Sequence, residues 1–79
     1  IVKSSIKIKK IDLNLINKII KEKFLNAKIN DTDGIKIEWQ NEWVHIRKSN
    51  TEPILRIISE SESIENSNKL IESIKLLIK

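Results

Sequence analysis

Arg47, Ser49, Asn50 and Thr51 fall within the seven-residue run Arg47-Lys48-Ser49-Asn50-Thr51-Glu52-Pro53. Their combined chemistry is that of an anion holder. A guanidinium offers planar, bidentate donors that match phosphate oxygens. The hydroxyls of Ser49 and Thr51 and the amide of Asn50 add further donors. A bent loop also aims backbone N–H groups into one concavity. Pro53 stiffens the exit, because its ring fixes φ. No base stands beside Ser49 and no glycine-rich cradle is present, so the run reads as a binder and not as a nucleophile. Ser, Asn and Pro are also ordinary residues of a polar hairpin connection, and composition alone does not separate the two readings.

The flanking segments place this run between strands. Trp43 to Arg47 alternates, with Val44 and Ile46 on one face and Trp43, His45 and Arg47 on the other. Ile54 to Ser59 is rich in β-branched residues and reads as the next strand. Before them, Asp31-Thr32-Asp33-Gly34 is a turn signal, followed by a strand in which Ile35, Ile37 and Trp39 face one way. Gln40-Asn41-Glu42 reverses the chain, with Asn41 suited to a left-handed position. Val2, Ser4, Ile6 and Ile8 alternate with Lys3, Lys7 and Lys9, giving a short strand or extended lead-in. Asp12 caps a helix whose stripe is Leu13, Ile16, Ile20 and Phe24, running to about Leu25 or Asn26. Lys28-Ile29-Asn30 leads into a short strand. Ser63 caps a last helix, with Glu65 in its first turn, and its stripe is Ile64, Leu70, Ile71, Ile74, Leu77 and Ile78. The expected architecture is α+β: an antiparallel sheet of three to four strands with two helices packed on one face.

The bulk numbers fit one small domain spanning residues 1–79. Charged residues make up 33% and hydrophobic residues 39%, a globular balance. There is no Cys, hence no disulfide framework and no thiolate metal site; this accords with a cytoplasmic location. No apolar run approaches the roughly 20 residues of a membrane span. The first residue is Ile1 and Met is absent, which suggests a domain excised from a longer chain. Residues 1–28 carry eight Lys against Asp12 and Glu22, while residues 29–79 carry seven basic and nine acidic groups. The net charge of +4 therefore originates in the N-terminal third, and a solvated Lys-rich face is its plain explanation.

Other candidate groups have bland readings that outweigh the sharp ones. Arg56 could be a second ligand, but on a strand it is better read as the partner of Glu52, ordering the loop. His45 is the single His and, with no companion ligands, makes a poor metal site; it reads as a structural or surface residue. Trp39 and Trp43 could stack on a base or sugar, though cross-strand packing of the two is the commoner use. Asp31, Asp33 and Glu42 superficially resemble a calcium loop, but Gly34 is misplaced for one and the strand-like Ile35, Ile37 and Trp39 run through it.

Arg47-x-Ser49-Asn50-Thr51-Glu52-Pro53 resembles the phosphate-binding loop in the last domain of the α-D-phosphohexomutases, the superfamily of phosphoglucomutase, phosphomannomutase and phosphoglucosamine mutase. Asp33-Gly34-Ile35-Lys36-Ile37-Glu38, Trp43-Val44-His45-Ile46-Arg47 and Ile54-Leu55-Arg56-Ile57 follow the same family's pattern of a DG-led strand, a second strand, the loop and a final strand. The resemblance implies a TATA-box-binding-protein-like C-terminal domain. It implies that Arg47, Ser49, Asn50 and Thr51 hold the non-transferred phosphate of a hexose 1-phosphate or 6-phosphate, with Glu52, Pro53 and Arg56 supporting the loop. It implies no catalytic residue and no metal ligand in this chain. The phosphoserine and Mg2+ belong to other domains of the parent enzyme, which would be the chain's remaining partners, with neither nucleic acid nor membrane among them. Asn50 follows the phosphomannomutase and phosphoglucomutase form of the loop, while the run from Trp43 to Pro53 also resembles that of some phosphoglucosamine mutases, so the resemblance leaves the sugar open. The rival reading is a basic double-stranded-RNA-binding module of α-β-β-β-α order. That module needs a Lys cluster at the start of its second helix, where this chain has Glu62-Ser63-Ile64-Glu65.

Overall fold

The structure, a computed structural model, describes residues 1–7, 12–49 and 52–78. Its elements are β1 (Val2–Lys7), α1 (Leu13–Lys23), β2 (Lys28–Asn30), β3 (Ile35–Glu38), β4 (Trp43–Lys48), β5 (Ile54–Glu60) and α2 (Ile64–Ile78). The strands form one sheet in the order β1-β5-β4-β3-β2, and every pair is antiparallel. β2 to β5 are a meander of consecutive hairpins, and β1 returns to the free edge of β5.

The sheet has five strands and not three to four. The two extra partners are the N-terminal lead-in, whose apolar alternation is interrupted by Ser4, and the three-residue β2, too short to read firmly from alternation. Ile8 and Lys9 lie outside the described residues. The order β-α-β-β-β-β-α also differs from that of the double-stranded-RNA module, because a strand precedes α1 and pairs into the sheet.

Register explains the core. Ile35, Ile46 and Ile57 are direct cross-strand partners, as are Ile37, Val44 and Ser59, so they share one face. That face is buried against Ile16 and Ile20 of α1 and Ile71 and Ile74 of α2. Both helices therefore cover the same side of the sheet, and the other side carries none.

The helix ends follow their capping residues. The Asp12 carboxylate accepts from the N–H groups of Asn14 and Leu15 at 3.1 and 3.2 Å, satisfying orphan donors of the first turn. Ser63 Oγ accepts from the N–H of Asn66 at 3.1 Å. α1 stops at Lys23, slightly earlier than its stripe suggests, because Phe24 leaves helical geometry as the C-cap. The ring of Phe24 then meets Trp39 edge-on, with centroids 5.3 Å apart. In α2, Ile64 is in phase with the buried stripe yet 72% exposed. It stands at the first helical position, while Ser67, Ile71 and Ile74 are the residues pressed into the core.

Candidate functional site

Arg47 lies near the end of β4 and projects from the helix-free face, since its neighbour Ile46 points into the core. Across the ladder Arg47 is directly opposite Arg56, and Arg56 is directly opposite Ser5. Two guanidinium groups thus stand side by side in one row. Like charges in that position destabilise a sheet unless something neutralises them. The acid that approaches is Asp33, whose Oδ1 lies 3.7 Å from a terminal nitrogen of Arg47. Among the described residues Arg56 makes no ion pair with Glu52 or with any other acid, contrary to its reading as the Glu52 partner. Both side chains are exposed, and water screening leaves little to hold them together.

The Asp33-Gly34 turn is fastened against β4 from three directions. His45 Nε2 lies 2.7 Å from the carbonyl oxygen of Asp33; a carbonyl only accepts, so Nε2 carries the proton and donates. The Asp33 carboxylate reaches Arg47 as above. Gly34 has φ +70°, and a Cβ there would collide with the carbonyl of Ile46 and lie 3.2 Å from Arg47 Cγ. Only glycine meets both demands at low cost. His45 is structural, as its isolation in the sequence suggests, and its task is to seat this turn.

The loop itself is closed by the N–H of Ser49, which donates to the carbonyl of Ile54 at 3.1 Å. Ser49 is buried, with 7% of its surface exposed, whereas an open loop would have left it accessible. Its backbone donor is committed to the hairpin and is not one of the N–H groups aimed at a ligand. Glu52 and Pro53 are exposed at the loop exit. Asn50 and Thr51, the other two expected donors, lie outside the described residues.

The two indoles do not pack on each other. Trp39 faces the helices and meets Phe24. Trp43 is on the open face, where its Nε1–H donates to Glu60 at 2.9 Å and Lys36 Nζ stands 5.2 Å from its ring centroid, a cation–π contact. They flank a turn closed by Trp39 N–H to Glu42 C=O at 2.9 Å, and Asn41 does not adopt a positive φ. The acids of the would-be calcium loop also disperse: Asp31 takes a hydrogen bond from Asn17 at 2.7 Å and lies 3.7 Å from Lys21, while Asp33 turns to Arg47. Among the described residues no three His, Cys, Asp or Glu side chains gather in a metal-holding group. No helix among them is long and apolar enough to cross a membrane.

The open face is divided by charge. Arg47, Arg56 and Lys7 stand toward its loop end, and Glu38 and Glu60 flank Trp43 at the opposite end, beside Lys36; Lys3 lies between, opposite Ile58. A groove of about 710 Å³ lies elsewhere, on the outer side of α2 beside Ile64 and Leu76. It mixes Glu65, Lys69 and Glu72 and has no concentration of one charge.

An α+β domain with a donor-rich hairpin at the cationic end of its open sheet is the class that emerges. Residues 4–77 match the family described as phosphoglucomutase/phosphomannomutase, C-terminal domain. The chain is 40% identical over 67 residues to a phosphomannomutase of Methanocaldococcus jannaschii, covering 85% of this chain and 15% of that protein. It is 51% identical over 51 residues to a phosphoglucomutase/phosphomannomutase of Thermococcus kodakarensis, covering 63% of this chain and 11% of that protein. With a probable phosphoglucosamine mutase of Pyrococcus furiosus it shares 34% identity over 67 residues, covering 85% of this chain and 15% of that protein. The chain belongs to this family of phosphohexomutase C-terminal domains. It spans about 15% of the length of such relatives.

Proposed function

We propose that this chain grips the phosphate of a phosphosugar as the C-terminal domain of a phosphohexomutase, an isomerase acting in the cytoplasm. The observation that carries the reading is the Arg47–Arg56 apposition at the loop end of the open face. Two unlike observations meet there: a charge arrangement that an anion would relieve, and a sequence run equipped with hydroxyl and amide donors. Arg47 is the clamp, and Asn50 and Thr51 supply donors from the loop. Ser49 anchors the hairpin as well as offering its hydroxyl. Arg56 adds charge from the adjacent strand, while Glu52 and Pro53 shape the exit. Each charge-assisted bond contributes about 1.5–3 kcal/mol.

This domain supplies binding and orientation, not bond breaking. The phosphoserine and Mg2+ that such a mutase uses belong to other domains of the parent. The sugar (glucose, mannose or glucosamine) is chosen largely by those other domains. The test is an NMR titration of this chain with glucose 6-phosphate. Shifts centred on residues 47–53, with a dissociation constant on the order of millimolar and their loss in Arg47→Ala, are expected. Shifts spread over the Lys-rich segment 3–28 with none in the loop would overturn the reading.

A further inference from the structure

A shallow groove of about 390 Å³ runs between β1 and β5 on the open face, lined by Lys3, Ser4, Ser5, Ile54, Arg56 and Ile58. Ile54 directly follows the donor loop, and Ser5 shares the row of Arg56 and Arg47, so the groove continues from the loop without a break. Its composition is mixed in a particular way. Ile54 and Ile58 are half-buried and give the groove an apolar floor on either side of Arg56, with Ile58 opposite Lys3. Ser5, Lys3 and Arg56 stand around that floor with a hydroxyl, an ammonium and a guanidinium. Among the described residues neither Lys3 nor Arg56 is engaged by an acid.

We propose that this groove is a carbohydrate subsite, in which the ring of a phosphorylated hexose lies over Ile58 while Ser5 and Lys3 bind its hydroxyls. The proposal rests on the phosphate reading of the loop, because the phosphate bound at Arg47 tethers the sugar beside β1. The chemistry fits a monosaccharide: apolar side chains meet its C–H face, and a few convergent polar groups set orientation. The geometry also fits. Ser5 is two strands from Arg47, or about 10 Å at the usual ~4.8 Å strand spacing, within reach of a sugar ring attached to a phosphate. The contribution of β1 to binding would make the edge strand part of substrate recognition.

The experiment compares inorganic phosphate, glucose and glucose 6-phosphate on this chain by NMR. Glucose 6-phosphate is expected to bind about three- to ten-fold more tightly than inorganic phosphate, a difference of the size a few added contacts produce. Its extra shifts should fall on Lys3, Ser5 and Ile58. The double substitution Lys3→Gln with Ser5→Ala should erase that advantage and leave inorganic phosphate within about two-fold. Lys3 is about 12 Å from Arg47 by strand geometry, beyond the ~8 Å screening length at physiological salt. Equal affinity for phosphate and glucose 6-phosphate, with shifts confined to 47–53, would overturn the subsite while leaving the phosphate reading intact. Absence of loop shifts with inorganic phosphate would sink both, and glucose 6-phosphate shifts at β1 that survive the double substitution would overturn the subsite alone.

Discussion

At the residue scale, the proposed phosphate competes with Asp33 for Arg47. Asp33 holds it at 3.7 Å through one terminal nitrogen, with both side chains more than half exposed. A pair of that kind contributes about 0–1 kcal/mol, while a phosphate can take two parallel bonds from the guanidinium. Phosphate should therefore win, against repulsion from the Asp33 carboxylate. Asp33→Asn is expected to tighten phosphate binding about two- to five-fold, because the repulsion removed (about 1 kcal/mol per unit charge at ~4 Å in water, less when farther away) exceeds the ordering lost. Isothermal titration at two salt concentrations checks this, since the gain should shrink as salt rises. Arg47→Lys should not restore the binding that Arg47→Ala removes, as a point charge lacks the planar fork. Gly34→Ala is a different kind of change. The left-handed backbone and the collision with Ile46 together should cost about 2 kcal/mol or more in urea denaturation, and should displace Arg47 as well.

At the element scale, the hairpin β4–β5 and the face of α2 carry the consequences. Ser59 sits fully buried on the core face of β5, and its Oγ finds no hydrogen-bond partner among the described residues. A stranded hydroxyl costs about 1–3 kcal/mol. Ser59→Ala is expected to raise stability by about 1 kcal/mol in chemical denaturation without altering phosphate affinity. Phe24 is half-buried, at the rim of the core against Trp39. Phe24→Ala should therefore cost about 2–3 kcal/mol, below the 3–5 kcal/mol usual for a large aromatic in a closed core. Ser67 replaces Ile64 as the inward residue at the start of α2. Periodicity places both on the same stripe, but it carries no information about where the supporting sheet ends.

At the scale of the whole molecule, the sheet separates stability from binding. One face is consumed by α1 and α2; the other is left to present the cationic row and the loop. On the proposed function, this chain is the grip and the phosphoryl donor belongs to other domains of the parent. A mutase assay with a sugar 1-phosphate and this chain should show no turnover above background, and phosphate affinity should fall as ionic strength rises because the site is open.

Much of this organisation is local, and local patterns are legible in a linear sequence. Alternation in Trp43–Arg47, the Asp12 and Ser63 caps, the Asp33-Gly34 turn and the loop from Arg47 to Pro53 each depend on residues a few positions apart, so their chemistry is written where they stand. Burial of Ile16, Ile20, Ile71 and Ile74 follows for the same reason, through helical spacing. The pairing of β1 with β5 is not local. It brings Lys3 and Ser5 beside residues some fifty positions away, and no short-range pattern specifies that neighbour or its register. The same holds for Asp33 and Arg47, for the parting of Trp39 and Trp43 to opposite faces, and for the burial of Ser49. Residue type and spacing determined which groups could hold a phosphate. Strand order and register, decided by packing one face under two helices, determined which of those groups meet.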